Sequence, residues 1–280
     1  MPTIGRRDEI YPLLFSLESQ TTSAFELIVV DQNQDGSLAP VIQRLSQSGI
    51  SYRHIMTKKK GLSIARNIAF PYTRYQIIGY PDDDCCYEDS TIAKVVEYFG
   101  KYTDIDGLIG RWCEMDTKYD TEFILDIKKW RRFNIGITAS SICIFTRKEL
   151  IEKVSGFDER LGVPLWFNAG EETDFIMRCL SSGARILYVP AIRIHHPVKS
   201  ILEGKLGEVL NRTRSRSRGT GALYRKHRLS WLVVSRGLLS PLLRSFAPPY
   251  FLKQILANLV TVLGRIEGMI RWNSARNMGK

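Results

Sequence analysis

Apolar positions along the first 200 residues follow two alternating rhythms. Ile10, Leu13, Leu14 and Leu17 recur at helical spacing after Asp8, a good N-cap, and predict a first helix. Residues 25–30 (FELIVV) are a short apolar run that reads as a buried strand, and 31–37 (DQNQDGS) as a turn-rich loop. The same reasoning predicts a helix over 38–47, a strand over 51–56, a helix over 62–69 and a strand over 75–80. Further on come a helix over 92–99, strands over 107–112 and 137–145, helices over 147–154 and 171–182, and the apolar run 184–194. Such alternation predicts an α/β domain, Rossmann-like, with a mostly parallel sheet flanked by helices. One position breaks the pattern. An α/β unit begins with a strand, yet only residues 1–4 precede the first helix, so the first strand is expected to be missing or vestigial.

Beyond residue 200 the strand rhythm stops. Residues 211–228 (NRTRSRSRGTGALYRKHR) alternate Arg with Ser or Thr. The next stretch interleaves Trp231, Leu232, Leu238, Leu239, Leu242 and Leu243 with Arg236 and Arg244, and the last places Ile255, Leu259, Val262, Ile266 and Met269 at helical spacing. Two domains are therefore expected, 1–200 and a helical, amphipathic C-terminal tail over 201–280.

The chain has 280 residues and 44% apolar content, enough for a sizeable core and too much for a disordered chain. Its net charge of +11 first suggests nucleic acid or an anionic membrane. The distribution sharpens this. Residues 1–200 carry 25 basic and 26 acidic side chains, whereas 201–280 carry 15 and 3. Apolar faces with basic flanks and tryptophans describe helices lying in an anionic membrane interface, here over 211–272. Packing onto the first domain and dimerisation are the competing readings. A nucleic-acid partner is the weakest, because an RNA-binding arm has no need of runs such as WLVV or ILANLVTVL. Cys85, Cys86, Cys113, Cys143 and Cys179 are odd in number and lack CxxC spacing, which suits reduced thiols in a cytoplasmic setting. No signal peptide opens the chain, and no window reaches the ~18 uncharged apolar residues of a spanning helix.

Five clusters carry candidate chemistry. Asp82, Asp83 and Asp84 follow the strand over 75–80, at the carboxyl edge where open α/β sheets bind ligands. Adjacent carboxylates repel, and Mg2+ or Mn2+ with a phosphate is one counter-charge; a solvated acidic turn is the other reading. Asp31, Gln32 and Asn33 end the preceding strand and suit hydrogen bonding to a base or ribose, or simply an Asx turn. Lys58, Lys59, Lys60 and Gly61 open a helix bearing Arg66, a cradle for a diphosphate or a solvated basic loop. Glu171, Glu172 and Asp174 open another helix; they suit a general base, and they equally suit the helix dipole. His195 and His196 close the run 184–194 and point to opposite faces, so at most one meets a site, for which His195 is the choice made here.

Together the segments VVDQNQDGS (29–37), KGLSIARN (60–67), YPDDDC (80–85), GFDERLG (156–162), GEETDFIMRCLSSGARILYVP (170–190) and HHP (195–197) resemble the family 2 glycosyltransferases, in colinear order over residues 3–200. The resemblance implies a GT-A fold, a nucleotide-sugar donor and transfer with inversion. It implies that Thr3 and Asp31 line the nucleotide pocket with Asn33, and that Lys60 and Arg66 lie near the donor phosphates. Asp82 and Asp83 would meet the donor, and Asp82 and Asp84 the metal, Mg2+ or Mn2+, with His195 as a further ligand. Glu172 would be the catalytic base, with Glu171 and Asp174 as rivals, because the family carries Asp where this chain has Glu172. A saccharide or lipid-linked acceptor and a place at the cytoplasmic face of the membrane, in bacterial surface-polysaccharide synthesis, complete the expectation. A degenerate GT-A domain that binds nucleotide or partner at the membrane without turnover is the alternative.

Overall fold

The computed structural model describes residues 1–133, 136–198, 200, 202–246 and 251–277. Contacts divide the chain into two compact units. The first comprises Met1–Trp130, Asn134–Phe157 and Phe175–Val198; the second comprises Arg131–Phe133, Asp158–Asp174 and Lys199–Lys280. Lys199–Lys280 is the longest segment of the second unit, which differs from a simple division at residue 200 by its two earlier segments.

In chain order the elements are β1 (Pro2–Thr3), α1 (Tyr11–Glu18), β2 (Glu26–Asp31), α2 (Ala39–Gln47), β3 (Ser51–Met56), α3 (Leu62–Ala69), β4 (Ile77–Gly79) and β5 (Cys86–Tyr87). Then come α4 (Thr91–Lys101), β6 (Gly107–Trp112), β7 (Phe123–Ile124), α5 (Ile127–Arg131), β8 (Ile144–Arg147), α6 (Lys148–Lys153), α7 (Glu171–Ser181) and β9 (Ile186–His195). The tail supplies α8 (Leu206–Lys226), α9 (Trp231–Arg244) and α10 (Leu252–Asn277).

Two sheets form the first unit. One is β1-β2-β3, wholly parallel; the other runs β4-β8-β6-β9-β5, with β7 also on β9. The mostly parallel expectation fits the first sheet only. In the second, β6 and β9 are parallel, while β4/β8, β5/β9, β6/β8 and β7/β9 are antiparallel. Parallel neighbours need a long crossover, and antiparallel ones do not, so hydrophobic runs alone do not reveal strand direction. The first strand is present but short: Pro2 and Thr3 pair with Val30 and Asp31, and the Gln32 N–H donates to the Thr3 carbonyl at 3.0 Å. The strand expected over 137–145 begins only at Ile144, after a single 3-10 turn at Ser141–Cys143. Ile142 and Cys143 are fully buried there, and burial without alternation does not distinguish a strand from a packed turn. Behind the site Phe157 and Phe175 stack at 4.4 Å between centroids, Tyr80 meets both edge-on at 5.3 and 5.8 Å, and the Tyr80 hydroxyl shares a 2.6 Å hydrogen bond with Thr146.

In the second unit α8 and α10 lie in close backbone contact. A Cβ at Gly221 would collide with the Arg265 backbone, and one at Gly268 with the Arg218 backbone, so only glycine permits this approach. The Arg/Ser run lies inside α8: Arg214 and Arg218 both pair with Glu267 of α10, and Thr213 and Ser217 are buried. Two arginines of that run, Arg214 and Arg218, therefore belong to a helix–helix seam, while Arg212 and Arg216 are exposed. Gly268→Val is expected to destabilise this unit by about 1–3 kcal/mol, read as a lower urea midpoint. Among the described residues, no helix is long and apolar enough to cross a membrane.

Candidate active site

The chemistry of the first unit gathers where β1, β2 and β4 end. Thr3 and Asp31, paired across β1 and β2, are each 2% exposed. Asp31 Oδ1 accepts from both the backbone N–H and the side-chain amide of Asn33, at 2.9 Å each, and its Oδ2 lies 3.1 Å from His54 Nε2. Asn33 Oδ1 in turn accepts the Gly5 N–H at 2.7 Å, and Gln32 Oε1 the Gly61 N–H at 2.7 Å. Internal hydrogen bonds, an Asx turn among them, thus hold Asp31 in place at the sheet edge.

Arg66, on α3, is 3% exposed, because α3 packs its inner face on β2. Its Nη2 donates to Asp82 Oδ1 at 3.0 Å and to Ser141 Oγ at 2.6 Å, and its guanidinium lies 5.1 Å from the Phe157 ring centroid. Lys58, Lys59 and Lys60 are exposed in the loop before α3.

The three carboxylates after β4 differ in environment. Arg6 Nη1 pairs with Asp83 at 2.9 Å and also with Asp84. Burial pushes the Asp83 carboxyl up to about 6 despite Arg6. Burial acts the same way on Asp84, but hydrogen bonds from His196 and Arg6 outweigh it and hold that carboxyl at about 2. His196 Nε2 lies 2.9 Å from Asp84 Oδ1; burial lowers the imidazole pKa, and the bond and charge of Asp84 more than restore it, to above the ordinary value. The second nitrogen, Nδ1, is buried without a hydrogen-bond partner.

The structure therefore brings His196, not His195, to Asp84. His195 Nδ1 lies 2.8 Å from Glu114, and its Nε2 is 3.7 Å from Glu88, where Cys113 also converges and Arg193 holds Glu88 at 3.0 Å. The physical reason is strand alternation. Ile192 and Ile194 of β9 are fully buried, so residue 196 continues their face and 195 continues that of Arg193. That period-2 signal was available in the sequence. Arg6 was missed as well, since nothing marks a basic pair before a helix as facing an acidic run 76 residues later in the chain.

The α7 carboxylates belong to the second unit. Glu172 is half-buried, Glu171 is 4% exposed and Asp174 is fully buried. Asp174 Oδ1 lies 2.8 Å from His227 Nε2 and also pairs with Lys226, whose ammonium reaches Asp158 at 2.7 Å. Arg160 donates to Asp158 at 2.9 and 2.7 Å. Burial raises the Asp158 carboxyl, but Arg160 and Lys226 outweigh it and hold it far below the usual carboxylate range. A carboxyl depressed in the folded state stabilises above its unfolded pKa of ~3.9 and loses that contribution as pH falls below it. The urea midpoint is expected to drop as pH falls from about 5 towards 2, and Asp158→Asn to flatten that drop.

Residues 1–154 match the profile described as Glycosyl transferase family 2. No curated protein matches the chain. Among solved structures, the mannosyltransferase PcManGT from Pyrobaculum calidifontis, in complex with GDP-Man and Mn2+, is similar in fold at a TM-score of 0.59 and 15% identity, over 98% of this chain and 74% of that one. TarS 1–349 from S. aureus in complex with UDP-GlcNAc is similar at 0.61 and 13% identity, over 98% of this chain and 90% of that one. The same protein in complex with UDP gives 0.59 and 14%, over 100% and 90%.

Proposed function

The chain belongs to glycosyl transferase family 2 and has the GT-A fold of its structural neighbours, and on that premise we propose that it transfers a sugar from a nucleotide-sugar donor, with inversion, to a saccharide or lipid-linked acceptor. The observation that carries this reading is the convergence of Asp31, Arg66, Asp82, Asp83 and Asp84 at the carboxyl edge of β2 and β4, where α/β sheets bind nucleotides. Asp31 and Asn33 read the base or ribose, with Thr3 beneath them. Arg66, clamped by Asp82 and Ser141, holds a fixed cation toward the donor phosphates, as does Lys60 from its exposed loop.

The donor set suits Mg2+ or Mn2+: a carboxylate oxygen of Asp84 and an imidazole nitrogen of His196 already face each other at 2.9 Å, with Asp82 and Asp83 adjoining. Asp84 and His196 would hold the ion, in place of His195. A divalent cation there supplies positive charge for the leaving diphosphate. Of the α7 carboxylates, Glu172 is the proposed base, being the least buried; Asp174 is committed to Lys226 and His227. A single base and no covalent carboxylate fit inversion. The alternative, nucleotide or partner binding without turnover, is favoured by Arg6, which already neutralises Asp83 and Asp84.

Thermal shift with UDP, GDP, dTDP and CDP, each with Mn2+ or EDTA, separates these readings from a chain that binds no nucleotide. One nucleotide is expected to stabilise the protein in a Mn2+-dependent way, and Asp84→Asn to remove the Mn2+ dependence. Stabilisation by none of the four would overturn the donor site.

The tail supports attachment at the cytoplasmic face of a membrane. On α9, Trp231, Leu232, Leu239 and Leu243 form one exposed stripe, Trp231 at 75%, continued just after the helix by Phe246 at 76% and flanked by Arg236 and Arg244 with no acidic residue. On α10, Leu252, Leu259, Leu263, Ile266 and Ile270 form another; of the expected span 211–272, residues 247–250 lie outside the described ones. Pelleting with anionic vesicles tests this. Salt-sensitive RNA binding without pelleting would overturn it.

A further inference from the structure

Three neighbouring strands of the second sheet bring a metal-ligating set together, one that includes none of the three aspartates. β9 lies between β5 and β6: Cys86 pairs with His195, and Tyr87 and Trp112 both pair with Ile194. Just past β6, the Cys113 N–H donates to the Ile194 carbonyl at 2.9 Å. Glu88, Cys113 and His195 are therefore gathered by the sheet rather than by spacing along the chain. A carboxylate oxygen of Glu88, the Cys113 sulfur and a ring nitrogen of His195 all lie within 4.8 Å of one another.

The surroundings of His195 are those of a metal ligand. Its Nδ1 lies 2.8 Å from Glu114 Oε1, and a proton shared there leaves Nε2 with a free lone pair, 3.7 Å from Glu88 Oε1. Metal-bound histidines characteristically give their second ring nitrogen to a carboxylate in this way. Glu114 is itself held, its Oε2 accepting the His196 N–H at 3.1 Å. Zn–N and Zn–O bonds of about 2.0–2.1 Å and a Zn–S bond of about 2.3 Å place tetrahedral ligand atoms roughly 3.3–3.7 Å apart. The three atoms thus need to close by about 1 Å, a small rotamer adjustment for Glu88 and His195 side chains that are 33% and 41% exposed. Arg193 supplies the counter-charge in the structure: its Nε lies 3.0 Å from Glu88 Oε1, and it also hydrogen-bonds Cys113. Its side chain is half exposed, and a solvated pair of this kind contributes little to keep it there.

We propose that Glu88, Cys113 and His195 bind one Zn2+, with water as the fourth ligand and Glu114 orienting the imidazole. Sulfur chooses the ion, because a thiolate favours Zn2+ over the Mg2+ or Mn2+ that suit carboxylates and phosphate. The Cys113 thiol releases its proton to solvent as the bond forms. Bound there, Zn2+ clips β5, β6 and β9 together one residue before His196, and so fixes the stretch of chain that carries His196 to Asp84. His195 therefore serves an ion other than the one that the family resemblance assigns to it. The site does not depend on the sugar-transfer reading.

The test takes the whole chain, freed of metal by EDTA and dialysis, adds Co2+ alone and reads the thiolate-to-Co2+ charge-transfer absorption in the near ultraviolet. A single equivalent of Co2+ is expected to complete the band, and a single equivalent of Zn2+ to abolish it and raise Tm. Cys113→Ser is expected to lose the band, and Glu114→Gln to weaken Co2+ binding about 10- to 100-fold. Asp84→Asn is expected to keep it, which separates this ion from one at the donor phosphates. Absence of the band in the parent chain would overturn the proposal whatever the variants do. So would a band that survives Cys113→Ser, or one unchanged in both Glu88→Gln and His195→Gln, since sulfur alone would then hold the ion.

Discussion

Glu172→Gln is expected to lower the rate of sugar transfer by about 10²- to 10⁴-fold, the range that a positioned general base contributes, while leaving nucleotide-dependent stabilisation in place. Gln keeps the length and hydrogen-bonding of the side chain and removes only its ability to take a proton. The rivals are set apart by their surroundings. Asp174 has no exposed surface and pairs with Lys226 and His227, and Glu171 is 4% exposed. Turnover within a few-fold of the parent would exclude Glu172 and pass the role to Glu171, for which the same substitution is the next measurement. Loss of both transfer and nucleotide stabilisation would instead mean that the residue supports the fold of α7.

Lys226→Met is expected to cost about 3–5 kcal/mol of stability, the penalty for stranding a buried charge, measured by urea unfolding. Lys226 is the shared counter-ion of two acids: its ammonium contacts both Asp158 and Asp174, and its side chain is 16% exposed. Its removal leaves Asp158 with Arg160 and Asp174 with His227, each short of one partner. Pairing Lys226→Met with Asp174→Asn is expected to recover part of the loss, since residues in one ion-pair network couple. A single-mutant loss below about 1 kcal/mol, typical of a surface pair, would show that the cluster is solvated. Asp174 therefore anchors the start of α7, a role that a helix-opening acidic residue hides in a sequence.

Much of the first unit was legible one element at a time. β2, β3, α3 and β6 lie within a residue of where the apolar runs place them, because a strand or helix buried on one side must show its period. β5 and β7 were not legible: two residues each have no period to show. Strand direction was equally hidden, and so was the late start of β8, where a buried 3-10 turn mimics a strand. At the site, Asp31, Arg66 and Asp82–Asp84 announced themselves as local clusters. Arg6 did not, because it acquires its meaning from Asp83 and Asp84, distant in sequence, and His196 was legible only through the period-2 alternation of β9.

The amino-acid order by itself determined the family, the alternation of the first unit, the helical character of the tail and the acidic, basic and amide residues that carry the candidate chemistry. These are local properties, set by period, composition and spacing within a few turns of chain. Tertiary structure alone decided what neutralises each carboxylate, which acid of α7 stays half-exposed, and that Arg214 and Arg218 of the Arg/Ser run pair with Glu267. It also opened an apolar cavity of about 470 Å3 lined by residues of β2, β4, α3 and α4. All of these depend on distances between residues far apart in the chain, and burial and charge pairing act through distance in space rather than separation in sequence.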